Sequence, residues 1–306
     1  MTDPTDSTDS TDSPDWIVLS ARAALASHRL VGWTFFDPVA IERYAALGVP
    51  NGLGYYIVSR GAPLLPAGHQ AVAAAFATVH PGFVQLCVET ALEHTTVDAI
   101  VDMHHRAVAD GLRRHVPEIV DELAELADPL WAVADELPSS GRVLFAAHRQ
   151  LPRPADPVLS AWLAVNCLRE WRGDTHFAIL VAEDVGAVEA GILDDARRGY
   201  GGWIPRSRGA DDATLATAFA ALERRGLAAD GAVDAAGLAF RAEIEERTDR
   251  LTARCWQALG EERSLRFLAL VEPVGDRLVQ LIDDAVGPKW MPAARTIAGH
   301  GDRPGS

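Results

Sequence analysis

Apolar residues recur along most of this chain every three or four positions, the period of an amphipathic helix. Leu123, Leu126, Leu130 and Val133 form one such series. Alternating apolar and polar runs, the mark of a half-buried strand, are nearly absent. The spacing predicts helices over Trp16–Arg29, Val39–Leu47, Thr96–His115, Pro117–Leu137, Arg142–Gln150, Val188–Arg198, Ala213–Arg225, Asp234–Leu259 and Glu261–Val286. Between Tyr55 and His94 it predicts short helices joined by tight turns, one from Pro66 through Val79 and the next from Pro81. The punctuation agrees with the period. Asp37-Pro38 is an N-cap followed by proline at the first helical position. Asp211 or Asp212 can cap the helix that Gly226 ends. Asp230-Gly231, within Leu227–Val233, is a two-residue hairpin signal.

Breaks in the pattern divide the chain. Residues 1–15 repeat Thr-Asp-Ser and are expected to be a disordered acidic tail. Leu151–Pro157, with three prolines, is the strongest boundary. It separates a helical N-terminal domain at 16–150, read also as a degenerate winged helix, from a C-terminal domain at 158–287. The Gly-, Pro- and Arg-rich end, 288–306, is expected to fray. The Gly-rich link Gly199–Trp203 lacks the Lys-Ser/Thr of a phosphate loop and reads as a hinge.

The longest apolar stretch carries its own interruption. Ser160–Val185 is apolar at both ends, with Arg169, Glu170, Arg172, Asp174 and His176 in the middle. Charges in such a segment are costly unless paired. On a continuous helix Arg169, Arg172 and His176 share one face, and Glu170 and Asp174 share an adjacent one. Two guanidiniums and an imidazole suit an anionic ligand such as a carboxylate or phosphate. Gly173 would let a ligand or another backbone come close. An ion network tying this helix to its neighbours accounts for the same residues. Arg172 and His176 are expected to face inward, at least one meeting the N-terminal domain or a ligand. Tyr55, Tyr56 and Arg60 with His80 form a second candidate, suited to a planar acid, with an ordinary core corner as the alternative.

Composition narrows the classes. The 306 residues carry a net charge of −15, which disfavours nucleic acid. Cys87, Cys167 and Cys255 lie in apolar surroundings without CxxC spacing, as buried thiols of a cytoplasmic protein do. No apolar run reaches the length of a membrane span, and the start lacks the order of a secretion signal. Asp102, His104 and His105 do not form a set with metal-ligand spacing, and no Gly-x-Ser-x-Gly occurs. No metal and no cofactor are expected.

The order helix, Leu222-Glu223-Arg224-Arg225-Gly226-Leu227, short hairpin, Asp234-Ala235-Ala236-Gly237, long helix resembles the second half of a MarR-type winged helix-turn-helix domain, over roughly Ala187–Leu259. Arg206, Arg208, Thr214, Arg224 and Arg225 are the candidate DNA contacts. The chain departs from that family at the wing, cut to Asp230-Gly231, and at Asp211-Asp212, acids where DNA would lie. A wider set also stands in distinctive order: Phe36-Asp37-Pro38, Tyr55–Leu64, Leu168–His176 and Glu246–Leu251. It resembles the actinobacterial SalK-like helix-turn-helix family, except that Trp171 stands where that family suggests His. That likeness implies a winged-helix fold and supplies no catalytic residues. The expected fold is mainly α: a helical N-terminal domain plus a winged helix-turn-helix domain with a very short β-hairpin wing. The expected function is a ligand-responsive regulator or small-molecule-binding protein. Its partners would be a small anionic or aromatic ligand and a second copy in a homodimer. The alternatives are an enzyme using His176 as general acid or base, positioned by Asp174 or Glu170, and an oligomeric scaffold.

Overall fold

The computed structural model describes residues 14–297. The chain is mainly helical. Helix α1 spans Trp16–Gly32, capped by Asp15, and α2 spans Pro38–Ala45, capped by Asp37. Three short helices follow: α3 (Tyr55–Gly61), α4 (His69–Phe76) and α5 (Pro81–His94). The long α6 (Val97–His115) starts on the Thr96 cap. Then come α7 (Val120–Glu125), α8 (Ala127–Glu136) and α9 (Val143–Arg149). The 26-residue α10, Pro157–Ala182, is unbroken. After it, α11 (Ala187–Arg198), α12 (Trp203–Ser207) and α13 (Asp212–Arg224) lead to the hairpin of β1 (Ala228–Ala229) and β2 (Ala232–Val233). The chain finishes on α14 (Ala235–Leu259) and α15 (Glu261–Val286).

The winged element forms as its residues dictate. Asp211 caps α13 on the Thr214 amide, and Gly226, at φ +68°, turns the chain out of it. Asp230 and Gly231 both take positive φ, as a two-residue turn of this hand requires. Asp234 accepts from the Gly237 amide and opens α14. At Gly237 an added Cβ would lie 2.1 Å from the Leu227 carbonyl oxygen. The glycine is what lets the hairpin lie against the start of α14.

Two of the expected helices need correction. The single helix over Pro117–Leu137 is two helices, with Leu126 between them at ψ −3°. Pro129 has no N–H for the Glu125 carbonyl, and its ring would crowd that oxygen, so the ladder cannot run through. The helix expected from Pro66 starts at His69, because Ala62–Ala67 winds as a 3₁₀ segment ending at Gly68, φ +88°.

Three apolar cores organise the molecule. The central one gathers α1, α7, α8, much of α10, the last turns of α14, and α15, around Leu30, Trp162, Trp171, Trp256 and Phe267. It draws residues from both sides of Leu151–Pro157. A second core lies among α2–α6, around Tyr44, Val58, Phe76 and Ile100. The third belongs to the winged element: Ile179, Leu193, Leu222, Leu227 and Ile244. Helices α10 and α14 each run from the central core into the winged one. Their polar stretches fall at the crossing.

The end of the described chain is docked. Trp290 packs between Phe36 and Trp203, with ring centres 5.7 and 5.1 Å away. Met291 lies against Gly32, and Ala294 is fully buried. The expected fraying thus does not begin at Pro288, because Trp290 meets the Phe36 and Trp203 rings and Ala294 is buried; residues 298–306 lie outside the described residues, as does nearly all of the expected acidic tail. The Gly199–Trp203 link, expected as a hinge, is held by buried Asp195, which accepts from the amides of Gly202 (2.6 Å) and Ile204 (2.8 Å). Among the described residues no helix is long and apolar enough to cross a membrane.

Candidate functional site

Because α10 is continuous, its polar residues radiate in three directions. Arg169 and Glu170 turn toward α3. Glu170 is fully buried and held by Arg60 through two bonds, Nε–Oε1 at 2.8 Å and Nη2–Oε2 at 2.7 Å. Arg169 closes on the same carboxylate and on Asn166 Oδ1. Burial works to raise the Glu170 carboxyl, but the guanidiniums of Arg169 and Arg60 outweigh it and hold it well below the usual range. Arg60 also donates to the Tyr56 hydroxyl (3.0 Å) and lies 4.8 Å from the Phe76 ring centre. Behind it, Asn166 donates to His148 Nδ1, so the proton sits on His148 Nε2, which donates to the Arg60 carbonyl at 2.9 Å. Tyr55 points away from this group, its hydroxyl on His104 Nδ1 at 2.8 Å. The closed cavity between Arg60, His104, His148 and Asn166 is about 10 Å³, room for one water and no ligand.

Arg172 and His176 face α14. Arg172 Nη2 donates to Glu245 at 2.5 Å and to Asp249 at 2.8 Å. Glu245 is shared with Arg241 (2.7 Å), and Arg241 and Arg198 both reach Asp194 on α11, at 3.3 and 3.1 Å. Arg197 adds longer contacts to both acids. The Nε atoms of Arg172 and Arg197 are buried without a partner. His176 Nδ1 lies 3.0 Å from Thr248 Oγ1, whose own hydrogen goes to the Ile244 carbonyl. The imidazole is therefore the donor, and Nε2 keeps its lone pair. Burial pushes its pKa down to about 4, against the pull of Glu245. Among the described residues neither bonds an N-terminal element.

Asp174 turns the third way. It accepts from the Phe145 amide at 2.9 Å and caps the start of α9. Burial pushes its carboxyl up to about 7, with the Phe145 bond opposing and the Glu170 charge assisting. The acid–base arrangement expected of His176 is thus not assembled. Neither Asp174 nor Glu170 hydrogen-bonds its ring, because successive helix positions carry them around the cylinder.

The candidate DNA contacts scatter as well. Arg206 pairs with Asp212 at 2.7 Å. Arg225 is spent on the carbonyls of Glu183 and Asp184 and lies over Phe240. Thr214 is bonded through both amide and hydroxyl to Asp211. Arg224 is exposed. Arg208 points inward. Its carbonyl accepts from the His80 amide at 2.9 Å, so here the α12–α13 loop meets the α4–α5 loop. His80 itself is exposed and caps α5, apart from Tyr55 and Arg60. The half-buried Arg208 guanidinium has no carboxylate at ion-pair distance among the described residues. Burial lowers its pKa, the charges of Asp194 and Tyr56 raise it, and those of Arg198 and Arg60 lower it again.

A helix-turn-helix family model matches residues 20–283. The chain belongs to this helix-turn-helix family. Within it, the polar junction is built largely from positions distinctive in the sequence: Glu170, Arg172 and His176 on α10 meet Arg60 on α3 and Thr248 and Asp249 on α14. No curated protein and no solved structure matches the chain. Reading the helix-turn-helix sequence alone misses Asn166, His148, Asp194, Arg198, Arg241 and Glu245 as members of the junction. A local signal marked Asn166, an amide side chain between buried Val165 and Cys167.

Proposed function

We propose that this protein is a SalK-like winged-helix protein that binds a small anionic molecule where its three cores meet, and that its DNA-reading face has been given up. The observation that carries the reading is Arg208. A guanidinium half removed from water and lacking a carboxylate is costly. Burial lowers its pKa, and the charges of Arg198 and Arg60 lower it further, in a chain whose net charge is −15. An anion would relieve that repulsion. The MarR-type likeness of the C-terminal element is part of the same reading, supported by the Gly226 turn and the Asp234 cap on Gly237. Against DNA stand the acids that open α13 and the engagement of Arg206 and Arg225.

The test is thermal melting in inorganic phosphate against chloride at equal ionic strength, for the native protein and Arg208→Gln. Phosphate should raise the native Tm beyond chloride and leave the variant unmoved. An equal rise in both proteins, or none in the native one, would overturn the assignment.

A further inference from the structure

Helix α13 packs one side into the winged core and leaves the other bare. Leu215, Ala218 and Leu222 are buried. Ala213, Ala216, Thr217 and Ala220, around the opposite side of the helix, are exposed. Between α13 and the start of α11 runs an open groove of about 470 Å³, walled by Ala187, Val188, Ala213, Thr217 and Ala218.

The polar side chains of this groove are already spent. Thr217 Oγ1 donates to the Ala213 carbonyl at 2.9 Å, and Thr214 Oγ1 to Asp211 Oδ1 at 2.6 Å. Glu189 reaches back to accept from the Gly186 amide at 2.8 Å. Base edges and phosphates would meet no free donor among these side chains. A polar ligand would find no side chain there to orient it. Small residues instead let another backbone come near, so the groove suits a helix that itself carries small side chains.

Charge decides which helix. Exposed Asp211 and Asp212 open α13, and exposed Arg224 ends it. Asp212 keeps most of its surface free beside its pair with Arg206. Glu223, next to Arg224, is drawn away to the Gly231 amide at 3.0 Å. Asp212 and Arg224 stand at the two ends of α13, about 18 Å apart along its axis. A second α13 laid antiparallel would set its Arg224 beside Asp212 and its Asp212 beside Arg224. It also carries the small residues the groove calls for.

We infer that this groove is the docking surface for a second copy of the chain. The two α13 helices lie antiparallel across a two-fold axis, each seated between α11 and α13 of the other. Such a contact is self-complementary, as a two-fold interface must be, and the paired charges fix its register. The surface is small, and copies that each carry a net charge of −15 repel one another around it. The dimer is therefore weak and depends on protein concentration. The inference is independent of the anion site and takes from the preceding section only that the DNA-reading face is given up.

The experiment is sedimentation equilibrium of the full chain over the micromolar to millimolar range, with circular dichroism as the check on folding. The native protein should pass from monomer to dimer. Asp212→Arg and Arg224→Asp should each weaken the dimer at least about tenfold, and the double reversal should return it to within about threefold of native. Thr217→Arg, which fills the groove, should leave a monomer. A dimer that survives Thr217→Arg would place the contact on another face and overturn the inference. Single reversals that are not rescued by the double one would overturn the antiparallel pairing. A native protein that stays monomeric and binds no duplex DNA overturns the dimer alone. One that stays monomeric and binds duplex DNA through Arg224 overturns the loss of DNA reading as well.

Discussion

At the scale of single residues, the junction is held by charges that cannot be removed one at a time. Among the described residues Glu170 is the only carboxylate bonded to Arg60 and Arg169, so Glu170→Gln would leave two buried guanidiniums without their counter-charge. Such a break costs about 3–5 kcal/mol, and denaturant unfolding of the variant should show a loss of that order. Asp174 runs the opposite way. Its folded carboxyl titrates near 7 against an ordinary 3.8, so between those values the folded protein holds a proton that the unfolded chain has released. The cost of ionising it is absent below the unfolded value, grows through the interval at roughly 1.4 kcal/mol per unit, and is full above pH 7. Asp174→Asn should therefore gain stability over the native protein most at pH 8 and least at pH 5. A difference in Tm that ignores pH would contradict the burial argument. The buried histidines oppose this at low pH. Burial pushes His28, His104, His148 and His176 down to about 3 or 4, so they stay neutral in the fold while the unfolded chain binds protons below 6.5. Each contributes stability that is present above 6.5 and lost as pH falls toward 4. Melting of the native protein should decline below about pH 6, ahead of carboxylate titration.

Among elements, the winged hairpin is the most tightly specified. Gly237→Ala would press a methyl group against the Leu227 carbonyl and push the hairpin off α14. Overpacking of this kind costs about 1–3 kcal/mol, and the variant's urea midpoint should fall accordingly. A helix end written by a side-chain cap was legible at Asp211 before α13. Asp37 and Pro38 opened α2 as expected. What misled the reading of 117–137 was a period that continues through Pro129. Apolar spacing reports which face is buried, and two helices bent around one core can keep a common face across a break.

For the whole molecule, two outcomes follow from how the lobes are joined. The first concerns nucleic acid. With Arg206 and Arg225 engaged and Arg208 turned inward, Arg224 is left as the exposed candidate cation on the α13 side. Fluorescence anisotropy should show no duplex DNA binding at physiological salt, and any low-salt binding should drop with Arg224→Ala but not with Arg206→Ala. The second concerns the docked end. Truncation after Gly287 removes Trp290 from between Phe36 and Trp203, and Met291 from Gly32. That loss of buried surface should cost about 3 kcal/mol, read as a lower Tm of the shortened protein.

The sequence by itself determined the helical class, the extents of α6, α14 and α15, the hairpin at Asp230-Gly231 and the presence of a polar centre in α10. These depend on neighbours within a few positions: the period of apolar residues, a capping carboxylate, a glycine at positive φ. Only the tertiary structure decided what the polar centre does with each charge. Helix geometry alone put Arg169, Arg172 and His176 on one face. The partners that separate them, Arg60 at 110 residues' distance from Glu170 and Asp249 at 77 from Arg172, come from other helices. The same holds for Arg208, expected on a DNA-facing surface and found turned inward. A side chain at a loop is aimed by whatever the loop docks against, and the partner of the α12–α13 loop, His80, lies more than a hundred positions earlier in the chain.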